Sequence, residues 1–396
     1  MAISAGTGSA THPNPMKAAA EAVEAAEKGI QGPGNRFAIV YSTVAYEQEA
    51  LIAAVAEKLG DIPFIGCSVE GTIGNEGSHE EGFSLQVCIM SSDTLRFHAC
   101  HATGLGEDSE KAGRDLGASV KEHIGDDTLG LIALADGLSL NFDRFTAGWK
   151  AGAELDRFLP VIGGTAGDDW EFKRTYQYKN GEIMSDAVTA VLISGEGRLA
   201  HAVSHGCVPS SRKHTITKAE GNVIQEIDDR PALEVLNDYL DISEQKDWQK
   251  AIVNLALGFK APSELSEQYD EHVIRYIPVK DEENGFLQIN TEVKTGESVW
   301  MTRRDYEKIE AGLDKTIAAI KDQLGDEKPQ VVLQFDCAGR GKVILPQAKK
   351  DALITRLQAG LGGTPAWSGF HSYGELGPVN ERNYFHNFTA VIAAIY

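Results

Sequence analysis

A glycine-rich pattern recurs three times along this chain and restricts what it can fold into. It reads PVIGGTAGDDWEF from Pro160, PFIGCSVEGTIGNEG from Pro63 and AWSGFHSYGELGP from Ala366. In each copy an apolar run leads into glycines and small polar residues, which read as a tight turn between a helix and a strand. Three such turns imply three copies of one structural unit, with polar groups from all three gathering in one place.

The segments around the turns follow a common order. RFAIVYST and LGLIALADG are short apolar, β-rich runs and read as buried strands. AYEQEALIAAVAEKLG and NFDRFTAGWKAGAELDRF carry helical periodicity. DSEKAGRDLGASVKEHIG is a further helix with Asp108 as its N-cap. EGFSLQVCIMSS and TLRFHACHAT read as an antiparallel pair, and Asn180-Gly181 marks a hairpin between alternating runs. QVVLQFDCAGRG, PQAKKDALITRLQAGLG and the final strand YFHNFTAVIAAIY repeat the order. Between the second and third copies lie strand-like runs with turns at Gly221-Asn222, Asn284-Gly285 and Thr295-Gly296, then the helix DYEKIEAGLDKTIAAIKDQLG. The expected class is mixed α/β: repeated β-loop-α-β units forming mixed sheets with helices packed on their faces. Two domains are expected after an N-terminal tail and helix at 1–34. Residues 35–225 would hold two units, and 226–396 a helix, a strand meander and the third unit. The stretch before Pro15 is small and polar and reads as disordered.

Composition removes several functions. A net charge of -21 disfavours nucleic acid and anionic membrane surfaces. The five cysteines are widely spaced and form no CxxC pair, as suits a reducing compartment rather than a disulfide framework. No apolar run approaches the roughly 18 residues of a membrane span, and the start lacks the features of a secretory signal. A cytoplasmic location is expected.

Several residues could carry chemistry. Cys67 follows an apolar run on a glycine turn, where N–H groups would lower a thiol pKa. A nucleophile there would need a base, and His98, His101, His371 and His386 are the candidates. A small residue in a tight turn is the plainer reading. GGTAGDD is neither a dinucleotide fingerprint nor a Walker loop. Its Asp168 and Asp169 argue against phosphate and suit an ammonium group or a cap. In FDCAGRG, Asp336, Cys337 and Arg340 leave a strand end, where α/β proteins place binding groups. Arg340 could hold a ligand carboxylate, or pair internally with Asp336 or Glu375. Asp136 holds the matching place in the second unit. His371, Tyr373, Glu375, His386, Asn387 and Thr389 form the densest polar set. Their spacing matches no zinc motif, and neither metal nor cofactor is expected.

At these residues the chain resembles the FIST family of signal-transduction sensor proteins, over nearly everything after Phe37. The resemblance is carried by IGCSVEGTI, IGGTAGDD, DAVTAVLISG, TKAEGNVIQEIDDRPALEVL, FDCAGRG, GFHSYGELGP and FHNFTAVI. It implies a FIST N domain followed by a FIST C domain and the sensing of small ligands, amino acids among them. The matching positions are Gly66, Cys67, Ser68, Gly163, Gly164, Asp168, Cys337, Arg340, Tyr373, Gly374, Glu375, His386, Asn387 and Thr389.

The resulting expectation is a sensor that binds a small polar metabolite between the two domains and passes the signal to a separate partner protein. Its site would draw on Gly66, Cys67, Ser68, Asp136, Gly163, Gly164, Thr165, Asp168, Asp336, Cys337, Arg340, His371, Tyr373, Glu375, His386 and Asn387. Arg340 would hold a carboxylate, and Glu375 or Asp168 an amine. The alternative is a thiol-dependent hydrolase or acyl-transfer enzyme using Cys67 with His371 or His386. A docking protein with purely structural turns is the third reading.

Overall fold

In the computed structural model, residues 3–396 are described apart from 242, 244–246, 267–268 and 363–364. The first unit comprises β1 (Ser4–Ala10), α1 (Pro15–Glu27), β2 (Asn35–Thr43), α2 (Gln48–Leu59), β3 (Phe64–Val69), the hairpin β4 (Gly71–Gly74) and β5 (Gly77–His79), and β6 (Leu85–Ser92). The second repeats it as β7 (Leu95–Thr103), α3 (Leu105–Val120), β8 (Thr128–Ala135), α4 (Phe142–Gly152), β9 (Val161–Thr165), the hairpin β10 (Gln177–Lys179) and β11 (Glu182–Met184), and β12 (Ala187–Gly195).

The third unit opens with β13 (Leu199–His205) and is then interrupted by an insertion. That insertion holds β14 (Cys207–Pro209), β15 (His214–Glu220), β16 (Val223–Ile227), β17 (Arg230–Pro231), α5 (Ala232–Asn237) and α6 (Trp248–Asn254). It continues through β18 (Ala256–Lys260), α7 (Ser263–Ser266), β19 (His272–Arg275), β20 (Val279–Asp281), β21 (Phe286–Gln288) and β22 (Ser298–Arg304). The unit resumes with α8 (Tyr306–Leu324), β23 (Val331–Cys337), α9 (Gln347–Gly360), β24 (Ala366–Ser372), the hairpin β25 (Glu375–Val379) and β26 (Arg382–His386), and β27 (Thr389–Ile395).

The units exchange hairpins in a closed cycle. The three sheets run β1-β6-β2-β3-β10-β11, β7-β12-β8-β9-β25-β26 and β13-β27-β23-β24-β4-β5. Each sheet therefore contains four strands of one unit and the hairpin of another. One pair in each is parallel: β2 with β3, β8 with β9, and β23 with β24. Ile39, Ile65, Ile132, Leu134, Ile162, Leu333, Phe335 and Phe370 fill one core shared by the three inner faces. The outer faces are covered by α1 and α2, by α3 and α4, and by α8 and α9. Sheets covered on both faces account for the apolar runs of the central strands. The insertion builds its own sheet around Ile216, Ile224, Leu257, Leu287 and Met301.

The structure corrects several sequence readings. The glycine-rich stretches are strands, with the chain reversal following them. Gly66, Gly163 and Gly369 pair with Val40, Ala133 and Gln334 in the parallel ladders. A Cβ at each glycine would lie 2.2, 1.8 and 2.0 Å from the carbonyl oxygen of its paired residue. Close approach of two backbones is what these positions require. Ser4–Ala10, read as disordered, is a strand antiparallel to β6. β6 and β7 are not paired, since β6 joins β1 and β2 while β7 joins β12. The last apolar stretch is two strands, parted where Phe388 takes a φ of 55°. Asn180 and Gly181, at φ 49° and 90°, make the expected hairpin turn between β10 and β11. α3 opens at Leu105 behind Gly104, ahead of the expected start; Asp108 kinks it at φ −153° and caps the longer part beyond, its carboxylate accepting from the Glu110 and Lys111 amides. No helix among the described residues is long and apolar enough to cross a membrane.

Candidate functional site

The three chain reversals meet. Gly167 N–H donates to Ser68 O (3.1 Å), Tyr373 N–H to Thr165 O (3.2 Å) and Glu70 N–H to His371 O (3.1 Å). These three bonds join equivalent positions of the units in a ring. Around it sit most of the residues singled out from the sequence, and they largely satisfy one another.

Ser68 Oγ donates to Gly167 O and accepts from the Tyr176 amide. Asp136 accepts from the Leu138, Ser139 and Asp186 amides and from Thr175 Oγ1. Gly164 lies in β9, where a Cβ would meet the Phe370 ring at 2.9 Å. Thr165 Oγ1 is buried with no partner among the described residues. Asp168 accepts from the Phe172, Lys173 and Arg174 amides and from the Tyr373 hydroxyl (2.7 Å), so it caps the segment that follows it. Asn387 accepts from the Tyr276 amide and donates to Tyr373 O, tying the insertion to the ring.

Arg340 forms the internal pair, its Nε lying 3.0 Å from Asp336 Oδ1, and donates to Ser204 O at 3.2 Å. Gln334 donates to the other Asp336 oxygen. His371 Nε2 meets Ser78 Oγ at 2.7 Å and Glu80 at 3.5 Å. His386 bonds Gly377 O, and burial pushes its pKa down to about 3, so the ring is neutral. Glu375 is fully buried, accepting from Ser372 Oγ and Thr389 Oγ1 at 2.6 Å each. Burial pushes its carboxyl up to about 8. Neither Arg340 nor Glu375 is open to a ligand as the sequence reading placed them.

Glu375 has a consequence for stability. Its folded pKa stands above the ordinary glutamate value of 4.5, so the folded state retains a proton that the unfolded chain releases. The contribution is complete below 4.5 and is lost as pH rises through about 8. Stability measured by urea unfolding should therefore fall across that window by a few kcal/mol. Glu375→Gln should remove most of this slope. An unchanged slope would show that Glu375 is ionised in the fold.

The thiol reading loses its geometry. Cys67 has no exposed surface, lies among Tyr41, Ile65 and Cys88 in the shared core, and has its pKa pushed well up by burial. Cys337 is also buried, with its thiol likewise raised.

Space for a small molecule lies one layer away, in a cavity of about 360 Å³. Ser204 and His205 of β13 form one wall, and Lys308, Gly312, Lys315 and Thr316 of α8 another. Tyr269 and Asp270 of the insertion and Pro378–Asn380 complete it. Gly312 lets α8 approach β13, since a Cβ there would already sit 3.2 Å from Ser204 Cβ. Asp270 meets Lys308 Nζ at 2.9 Å and His205 Nε2 at 3.2 Å. His205 Nδ1 accepts from the Cys207 amide, which leaves the proton on Nε2, toward Asp270. Burial alone would raise the Asp270 pKa, but His205 and Lys308 hold it well below the carboxylate range. Arg340 and His386 stand behind this cavity through Ser204 O and the Tyr269 ring. Sequence reading missed Asp270, Lys308 and Lys315. The two lysines are seven residues apart on α8, about two turns, which was the one available signal.

Three pseudo-equivalent α/β units, with a cavity at the junction of body and insertion, define the class of the fold. The chain matches the FIST N domain over residues 36–230 and the FIST C domain over 232–378, and it belongs to the FIST family of signal-transduction sensor domains. The cavity is lined by residues of both matched segments.

An uncharacterized protein of Mycobacterium tuberculosis (strain CDC 1551 / Oshkosh) is 26% identical over 402 residues, covering 98% of each chain. One of Mycobacterium bovis is 25% identical over 401 residues, covering 98% of this chain and 97% of its own. Among solved structures, cyanuric acid hydrolase from A. caulinodans is similar with a TM-score of 0.41 and 10% identity, covering 100% of this chain and 99% of that one. A chorismatase is similar with a TM-score of 0.38 and 9% identity, covering 100% and 98%.

Proposed function

We propose that this protein senses a small zwitterionic metabolite of the amino-acid class, bound in the cavity between β13, α8 and the insertion. The observation that carries the reading is the Lys308–Asp270 pair on the wall of a 360 Å³ space. That volume lies in the range of small-molecule sites. Lys308 and Lys315 offer two ammonium groups to a carboxylate, and Asp270 accepts an ammonium. In a chain of net charge -21 a cavity with two lysines and one aspartate is locally cationic, which favours an anionic headgroup. Asp336, Arg340, Glu375 and His386 serve here as the wall behind the ligand. The turn residues from Gly66 to Asp168 and Tyr373 form the frame. A ligand touching both β13 and Tyr269–Asp270 would bias the insertion's placement against the three-unit body, and a separate partner protein would read that change.

Thermal-shift measurements with the common L-amino acids test this. A ligand at a hundred times its Kd adds about 2.7 kcal/mol, enough to raise Tm by a few degrees. Lys308→Met should abolish the shift, and so should Ala311→Leu, which fills the cavity without removing a charge. A panel with no stabilising amino acid, or a shift that survives both substitutions, refutes the reading.

A further inference from the structure

The cavity between β13, α8 and the insertion holds a cation that its walls leave unmatched. Lys308 is engaged on two sides, by Asp270 at 2.9 Å and by Cys207 O at 2.8 Å. Lys315 also lines the cavity, and it has neither an ion pair nor a hydrogen bond among the described residues. The helix itself denies it a partner. Side chains on a helix meet at spacings of three and four residues. Around Lys315 those positions are Ala311, Gly312, Ala318 and Ala319. The adjacent acid, Asp314, is held by Arg356 at 2.7 Å.

The charge of the lining follows directly. Its ionised groups are Lys308, Lys315 and Asp270. Burial lowers the pKa of His201 to about 4 and lowers that of His205 as well, so both rings are neutral. Two lysines and one aspartate leave one positive charge. An amino acid with a neutral side chain carries no net charge and leaves that surplus in place. One with a carboxylate side chain cancels it.

The groups that suit the common part of an amino acid lie at the other end. β13 is the edge strand of its sheet. His201 turns its N–H and C=O outward, to the Gln323 side chain. Alternation along an antiparallel strand turns those of Val203 and His205 to the same edge. With Lys308 and Asp270 they match atoms that every amino acid has, so they set the class of ligand and not its side chain. Lys315 stands seven residues beyond Lys308, about 10 Å along the helix axis, on the solvent side of the cavity.

We propose, resting on the amino-acid reading of this cavity, that its ligand is an acidic amino acid, with the ammonium at Asp270, the α-carboxylate at Lys308 and the side-chain carboxylate at Lys315. Lys315 is then the residue that determines specificity. A ligand carboxylate supplies the counter-charge that the fold withholds from it. The amide of the same shape would leave the lysine uncancelled and turn an N–H₂ donor toward a second donor.

The probes are L-glutamate and L-aspartate, each titrated calorimetrically against its own amide, with glutarate as the dicarboxylate that lacks an amine. The better of the two acids should bind the native protein about ten-fold or more tightly than its amide, and glutarate should bind more weakly than glutamate. Lys315→Met should remove most of that acid-over-amide preference, and Lys315→Arg should keep it. Lys321→Met takes the same charge from an exposed position of α8 outside the cavity lining and should leave the preference unchanged. Equal affinity for acid and amide, or a preference that survives Lys315→Met, overturns this assignment while the sensor reading stands. Failure of every amino acid to bind, or glutarate binding as tightly as glutamate, overturns the amino-acid reading and this assignment with it.

Discussion

Gly163→Ala is expected to cost about 4 kcal/mol or more of stability, or to prevent folding altogether. The added Cβ would sit 1.8 Å from Ala133 O, a backbone atom of the paired strand that cannot turn aside. The ladder from Val161 to Thr165 would have to part from β8, opening the shared core at Ile132 and Ile162. Overpacking a side chain commonly costs 1–3 kcal/mol, roughly, because neighbours relax. Here the neighbour is fixed by its own hydrogen bonds. Gly66→Ala and Gly369→Ala should behave alike, at 2.2 and 2.0 Å from the equivalent carbonyls. Gly125→Ala is the control, exposed and with only the Asp127 carboxylate within reach, at 3.3 Å. Urea unfolding of the four variants is the measurement. A loss at Gly163 no larger than at Gly125 would mean that β8 and β9 do not approach this closely.

These glycines show how a correct signal can carry an incorrect local picture. The threefold recurrence of the pattern was legible, and so was the repeat it implies. Glycine reports either a left-handed φ or a close approach, and sequence alone does not separate the two. The structure assigns close approach at Gly66, Gly163 and Gly369, so the stretches are strands. Capping and hairpin chemistry was also legible, because it is local. Asp305 accepts from the Lys308 amide at the start of α8, and Gly325 closes it at φ 60°.

What depends on distant residues was not legible. β1 reads SAGTGSA and carries no apolar alternation, since it packs through small residues. A Cβ on Gly6 would meet Ala26 O at 2.0 Å, so α1 lies nearly in backbone contact with it. β6 and β7 look like a hairpin because a short turn joins them. That turn carries the chain from one sheet into the next, and an alternating pattern names a strand without naming its partner. The site divides in the same way. Arg340 could be read as a ligand group or an internal partner, and the short span to Asp336 realises the second. Glu70 drew no attention within SVEGTI, because its burial comes from the segment after β9 in another unit. Asp270 belongs to the insertion and meets Lys308 only through the tertiary fold.

The cyclic exchange of hairpins also supplies the second large expected effect. Glu80 follows the hairpin that the first unit lends to the third, and Lys350 lies on α9 of the third unit. Their side chains are 2% and 4% exposed and form an ion pair through Glu80 Oε1 and Lys350 Nζ. Glu80 Oε2 accepts from the Lys342 amide at 2.8 Å, and Lys342 Nζ reaches Glu80 O at 2.9 Å. Burial alone would raise the Glu80 carboxyl, but His371, Lys350 and Lys342 hold it below 4.5. A lowered pKa stabilises the fold above the unfolded value, and that stability is lost as pH falls through the folded value. Lys350→Met leaves a buried carboxylate without its main counter-charge and should cost about 3–5 kcal/mol at neutral pH. Glu80→Gln strands the lysine and should cost a similar amount. Because each single variant includes the penalty of an orphaned charge, the double variant should be less destabilised than the sum of the two by about 2 kcal/mol or more. Lys350→Met should also move the acid-induced loss of stability to higher pH, since Glu80 then binds a proton more readily. Additive effects in urea unfolding, with an unshifted acid limb, would show that the two groups do not act as a pair in holding the exchanged hairpin.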